Sequence, residues 1–272
     1  MTFTESELLL RYPYRSEEPV LVDVGGHQGS FSRQFAQRGW RIIAFEPEPY
    51  NRSIFEKRLA GFDKVMCLPK AISDKTGDII PFYVSENHSG IHSIKPFHKT
   101  HRAALDVETI SLSDALNTLD VPQVTLLKVD IEGADFLALR GFGFDRFHPE
   151  LIMVEFMDER SVKNFGYTHH DVAAYMRGFG YFTFVSEWAP IKEYARDGQP
   201  VSHHWIQCLP YPLPHEPAWG NLIFVPIGEE AKFISTLEHY ILHLKRWQKF
   251  ALLRSQIKRI PGVHRLYKLI KG

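Results

Sequence analysis

Val20–Gly29 reads VLVDVGGHQG, and Arg41–Asn51 reads RIIAFEPEPYN. The first is a short β-branched run that breaks into three glycines, Gly25, Gly26 and Gly29. Such a run suits a strand buried on both faces of a parallel sheet. Glycines directly after it let the backbone turn tightly and approach a ligand with no Cβ in the way. The second run closes on Glu46, 21 residues after Gly25. That is about the spacing at which an acidic residue grips ribose hydroxyls in nucleotide-binding α/β folds.

The loop is D-x-G-x-x-x-G rather than G-x-G-x-x-G, so the third glycine that seats a pyrophosphate on a helix is missing. This favours a nucleoside ligand without a diphosphate. S-adenosylmethionine is one such ligand, its ribose held by the acid and its methionine part along the loop. A dinucleotide-dependent (NAD) oxidoreductase is the alternative the loop disfavours.

Working outward, apolar runs alternate with helix-like segments, as in a parallel sheet covered by helices on both faces. Strands are expected at 20–24, 41–45, 64–68, 79–84, 124–129, 151–155, 181–185, 203–209 and 220–226, and helices at 30–38 and 50–60. Residues 85–102 are polar and rich in histidine, and read as a long loop with the character of a functional lid. Residues 187–200 and 210–217 read as surface loops. The expected division is an N-terminal extension 1–19, a catalytic domain 20–228 and a C-terminal helical tail 229–272.

Composition excludes several classes. With 44% hydrophobic and 24% charged residues the chain is not of disordered type. Cys67 and Cys208 lie in apolar runs without metal-ligand spacing, as in a reduced cytoplasmic protein. The N-terminus lacks the basic-then-apolar pattern of a secretory signal, and no run reaches the roughly 18 apolar residues of a membrane span. The zero net charge hides a division. Residues 241–272 hold nine basic residues and no acid, which leaves 23 basic against 32 acidic residues in 1–240.

Residues 227–260 carry Phe233, Leu237, Tyr240, Leu244, Trp247 and Ala251 at helical steps. Three readings of this basic segment stay open: packing on the fold or in a homo-oligomer, peripheral association with an anionic membrane, and nucleic-acid binding. The last is disfavoured because no recognition module accompanies the charge.

VDVGGHQGSFS, AFEPEPYN, AISDKTG, VETISLSDAL and LLKVDIEGADFLALRGF, in this order over roughly residues 20–156, resemble the FkbM family of S-adenosylmethionine-dependent methyltransferases. The resemblance implies a seven-stranded, mostly parallel Rossmann-like sheet and O-methylation of a sugar, polyketide or related hydroxylated metabolite. A non-catalytic Rossmann-like module that binds partners is the remaining alternative.

On this reading Asp23, Gly25, His27, Gly29 and Phe31 line the methionine side. Glu46 accepts both ribose hydroxyls, Pro47 shapes the wall, and Ser73 and Asp74 reach the adenine. Asp130 and Glu132, after the fourth strand, lie beside the methyl group. Candidates to take the acceptor's proton are Asp130, Glu132, His88 and His92, with no metal called for. The histidines of 85–102 lack metal-binding spacing. Glu155 is expected to face the site or to pair with an arginine. A side chain at position 25 is expected to bar the ligand while leaving the fold intact.

Overall fold

The computed structural model describes residues 2–191 and 203–258, with side chains to Lys249. The chain divides into two compact units, Tyr14–Glu229 and a smaller one formed by Met1–Pro13 with Glu230–Gly272.

In the smaller unit, α1 (Glu5–Arg11) is capped by the Thr4 hydroxyl, which accepts from the Glu7 amide. It lies with Phe3 and Tyr12 against a helix spanning Glu230–Lys258. Phe3 faces Tyr240 at 5.4 Å and Tyr12 faces Phe233 at 6.5 Å between ring centroids. Phe233, Leu237, Tyr240 and Leu244 of the long helix are buried, one stripe at steps of three and four. The stripe expected from the sequence stops there. Trp247 is 43% exposed, and Lys245, Arg246, Gln248 and Lys249 are exposed too.

The larger unit starts with β1 (Val20–Val24), α2 (Ser30–Ala36), β2 (Arg41–Phe45), α3 (Pro49–Leu59) and β3 (Val65–Leu68). A small sheet interrupts the alternation. Its strands are β4 (Ala71–Ser73), β5 (Ile79–Ser85) and β6 (His101–Ser111), in the order β4-β6-β5. The chain continues through α4 (Leu112–Thr118), β7 (Leu126–Val129), α5 (Asp135–Arg140), β8 (Leu151–Phe156), α6 (Asp158–Phe165), α7 (His169–Gly178), β9 (Tyr181–Trp188), β10 (Trp205–Pro210) and β11 (Trp219–Pro226). The long helix of the smaller unit is α8.

The main sheet has eight strands in the order β10-β9-β11-β8-β7-β1-β2-β3. The five from β8 to β3 are mutually parallel, whereas β11 runs antiparallel to both β8 and β9, and β10 antiparallel to β9. The seven-stranded expectation thus gains an edge strand, β10, in hairpin-like pairing with β9. The order reverses at β1 and β7, where open α/β sheets form a crevice at the strands' carboxyl ends.

Val22, Val24, Ile43, Leu127, Val129, Ile152, Val154 and Leu222 of the sheet belong to one buried cluster with Leu116, Leu139 and Met176 from the helices. Each such side chain contributes about 1.5–3 kcal/mol on burial.

Boundaries shift from the sequence reading where turn chemistry intervenes. The loop read as 85–102 is shorter, because β6 begins at His101 and pairs antiparallel with β5. The N-cap of α4, Ser111, accepts from the Asp114 amide, so the helix begins directly where β6 ends. α7 starts on a Thr168–Asp171 capping box that the sequence reading passed over. Of the expected surface loop 187–200, Glu187 and Trp188 belong to β9, and residues from 192 lie outside the described set.

Candidate active site

A cavity of about 440 Å³ opens at the carboxyl ends of β1, β2 and β7. One wall is Gly25, His27, Phe45, Glu46, Pro47 and Asn51. The base is apolar, with Ala71, Ile72 and Phe82. Across from Glu46 stand Asp130, Ile131, Glu132, Glu155 and Arg160, and residues 88–94 roof the space.

The FEPEP segment divides its work between two acids. Glu48 caps α3, accepting from the Tyr50 and Asn51 amides, with Pro49 at the first helical position. Glu46 stays behind, buried, and accepts from the amides of His27 (2.8 Å) and Glu48 (2.9 Å). It therefore ties the glycine loop to β2 and keeps lone pairs for a ligand. His27 holds this geometry in the left-handed region at φ 47°, which histidine tolerates better than most residues.

The glycines serve the protein as much as a ligand. A Cβ on Gly25, at φ 79°, would lie 2.0 Å from the Asp130 carbonyl oxygen. A side chain there strikes the backbone that carries Asp130, so the expectation that it would spare the fold is corrected. A Cβ on Gly29 would lie 2.5 Å from Leu59 and 2.9 Å from Phe55, where α2 crosses α3.

Several residues expected at the ligand do not line the cavity. Asp23, on β1 itself, is fully buried below the cavity lining, facing Lys128 at 3.0 Å and accepting from the Ser32 hydroxyl at 2.6 Å. Phe31 stacks on Phe35. Asp74 is drawn off by Arg140 at 2.9 Å, with Ser73 hydrogen-bonded to it. Gly25, His27, Glu46, Pro47, His88, His92, Asp130 and Glu132 are the expected residues that the fold brings together.

Three groups escaped the sequence reading. Lys128 is directly opposite Asp23 in the strand register and reaches the Gly25 carbonyl at 2.7 Å and Asp130 at 3.5 Å. Burial works against its charge, but Asp23 and Asp130 hold it in the ammonium form, above the ordinary lysine range. A lysine inside the apolar run VTLLKVD was the available signal. Asp135 accepts from the Ile131 and Gly133 amides and so shapes the 130–133 turn, in which Glu132 adopts φ 59°. Arg160, just after β8, is buried, bonded to Glu132 and 3.5 Å from Glu155. Nothing in its local sequence marks it.

The roof is tied down from the other side. His27 Nε2 is 3.2 Å from the Ser89 hydroxyl, and the Asn51 amide donates to the Ser89 carbonyl at 3.0 Å. The Ser93 hydroxyl donates to the Glu132 carbonyl at 3.4 Å, so the loop spans the cavity from α3 to the 130–133 turn.

Burial dominates the acids' electrostatics. It pushes Glu46 up to about 7 against its two amide donors, Glu132 to about 8 against Arg160, and Asp135 to about 6. Glu155 is raised as well, by burial and then by Asp130 and Glu132. Acids whose folded pKa exceeds the unfolded value bind more protons when folded, so stability falls as pH rises through that window. The ligand-free protein is expected to melt highest near pH 5 and progressively lower toward pH 8. Calorimetry across this range checks it; a melting temperature that climbs with pH would contradict the assignment.

The parallel sheet reversing at β1 and β7, with an acid closing β2 and a glycine loop after β1, is a Rossmann-like frame suited to a nucleoside-containing ligand, here the S-adenosyl-L-methionine of a methyltransferase. More narrowly, the methyltransferase FkbM domain model matches residues 23–183, and the chain belongs to that family. Methyltransferase 1 of Beauveria bassiana is 27% identical over 202 residues, covering 64% of this chain and 77% of the relative. Hexuronic acid methyltransferase AglP of Haloferax volcanii is 28% identical over 131 residues, 46% of this chain and 50% of AglP. The 2-O-methyltransferase NoeI of Sinorhizobium fredii is 24% identical over 159 residues, 52% of this chain and 65% of NoeI.

Proposed function

We propose that the protein methylates a hydroxyl oxygen of a carbohydrate or a similarly hydroxylated metabolite. The observation that carries this reading is that Asp130, Glu132, Glu155 and Arg160 line the same cavity as Glu46 and offer it charged hydrogen-bonding groups. Polyols are recognised through such groups, and two of the relatives are named for a hexuronic acid and for 2-O-methylation.

The residues present suit the cofactor. Glu46 holds the ribose hydroxyls, Pro47 and the apolar Ala71–Ile72 segment bound the purine, and Gly25 and His27 face the methionine part. Bound there, S-adenosylmethionine supplies an electrophilic methyl on a sulfonium.

Glu132 takes the hydroxyl proton. A carboxylate raised to about 8 is matched to that task near neutral pH. Arg160 orients Glu132 and Glu155. Asp130, paired with Lys128, aligns the acceptor, and positioning is a large share of the barrier in such a displacement. His88 and His92 on the roof close the site against water. Incubating the enzyme with S-adenosylmethionine and a panel of free, nucleotide-linked and lipid-linked sugars tests the reading. Release of S-adenosylhomocysteine with a methylated sugar supports it; methylation confined to nitrogen or carbon acceptors rejects it.

The tail adds a location to this proposal: α8 docks on an anionic membrane surface through its charged half. Among the described residues no helix is long and apolar enough to cross a membrane. The buried stripe of α8 ends at Leu244, and exposed Lys245, Arg246, Trp247 and Lys249 follow. Phe250 and Leu253, whose side chains lie outside the described set, continue the apolar side of the sequence pattern. Each basic group near an anionic bilayer contributes about 1 kcal/mol, screened by salt. Deleting 241–272 is expected to abolish co-sedimentation with anionic liposomes, and salt to weaken it in the intact protein. Indifference to liposomes at low salt, with a change of oligomer mass on deletion, would favour packing instead.

A further inference from the structure

Away from the cavity, the start of α7 brings two consecutive imidazoles to one carboxylate. The His169 and His170 rings stand 4.0 Å apart between centroids. Each is fixed through Nδ1. His169 pairs there with Asp158 at 2.7 Å, and its backbone amide donates to the other Asp158 oxygen at 2.8 Å. His170 pairs there with the Tyr211 hydroxyl at 2.8 Å. With Nδ1 engaged, both Nε2 atoms turn to Glu216, at 3.9 Å from His169 and 3.2 Å from His170. The three donor atoms lie within 4.8 Å of one another.

The contact at His170 is an ordinary hydrogen bond and explains itself. His169 is different. It is 2% exposed, packed on Phe156 at 5.0 Å, and its Nε2 is beyond hydrogen-bonding reach of Glu216. A buried imidazole whose Nδ1 is held by a carboxylate, and whose Nε2 points at further metal-type ligands, has the arrangement that orients metal-bound histidines. The donor set of two imidazoles and one carboxylate suits zinc and disfavours magnesium or calcium, which prefer oxygen alone.

We propose that His169, His170 and Glu216 bind a zinc-class divalent ion, with Asp158 and Tyr211 orienting the imidazoles. None of the five lines the cavity, so the site is separate from methyl transfer. Its effect is to clamp the segment after β10, carrying Tyr211 and Glu216, to the start of α7.

The test uses the full chain without an affinity tag, stripped of metal. Zn²⁺ is titrated in competition with a chromophoric chelator, and thermal melting is followed with and without Zn²⁺. A one-to-one complex is expected, with a raised melting temperature and no competition from Mg²⁺. Glu216→Gln alters an exposed side chain and should leave the fold intact while removing the complex. Asp158→Asn should weaken it roughly 10- to 100-fold. Equal zinc affinity in the parent and Glu216→Gln, or no one-to-one complex at micromolar protein, would overturn the assignment. Unchanged methyl transfer in Glu216→Gln keeps this result distinct from the fate of the methyltransferase reading.

Discussion

Replacing Glu46 by alanine is expected to cost roughly 2–4 kcal/mol of affinity for S-adenosylmethionine, a loss of about thirty- to thousand-fold. The carboxylate is buried, so bonds from it to ribose hydroxyls would form out of water, where an acceptor cannot be replaced by solvent. Alanine also strands the amides of His27 and Glu48, which now donate to Glu46. Glu46→Gln separates the two effects. It keeps one acceptor oxygen for the loop, and its affinity should fall between parent and alanine while the fold is largely retained. Titration calorimetry with S-adenosylmethionine and S-adenosylhomocysteine measures both. Parent-like binding by Glu46→Ala would mean that the nucleoside lies elsewhere.

The second large effect concerns Glu132. Glu132→Gln is expected to lower turnover by roughly 10²–10⁴-fold, the usual contribution of a positioned base, while cofactor affinity changes little. Asp130→Asn should lower turnover less, because Asp130 is assigned alignment rather than proton transfer.

The pH profile carries the same assignment. Glu132 must be ionised to accept a proton, and burial holds it near 8 in the ligand-free site. So kcat/KM should rise through that region and flatten in Glu132→Gln. In kcat the rise should move to lower pH, because the cationic sulfonium favours the carboxylate. Chelation should leave turnover intact, since Arg160 already supplies a cation between Glu132 and Glu155. Activity lost on chelation and restored by Mg²⁺ would replace this mechanism with a metal-assisted one.

Particular elements show why some features could be read in one dimension. β1 and β2 were legible to the residue because each is a short apolar run cut by glycine or by an acid–proline pair, signals that act on their own neighbours. The first half of β6, His101–Asp106, reads HRAALD, with neither a β-branched residue nor an alternation to mark a strand. It is a strand by virtue of pairing with β5, and pairing partners are not written in local composition. α6 buries Arg160 and Ser161 rather than apolar side chains, and the expected helices do not include it.

Among site residues the same division holds. The sequence by itself determined a nucleoside-type loop, an acid at the end of β2 and a pair of acids after β7, because backbone geometry at strand ends places those positions near one crevice. It also determined a tail whose charge is entirely basic. Only the tertiary structure decided which acids face the cavity. Asp23 is neutralised by Lys128 from the neighbouring strand, Asp74 is captured by Arg140, and Glu132 and Glu155 are brought to Arg160. The physical reason is that a carboxylate's role depends on burial and on the nearest opposite charge. Both are set by residues from five to more than a hundred positions away in the chain.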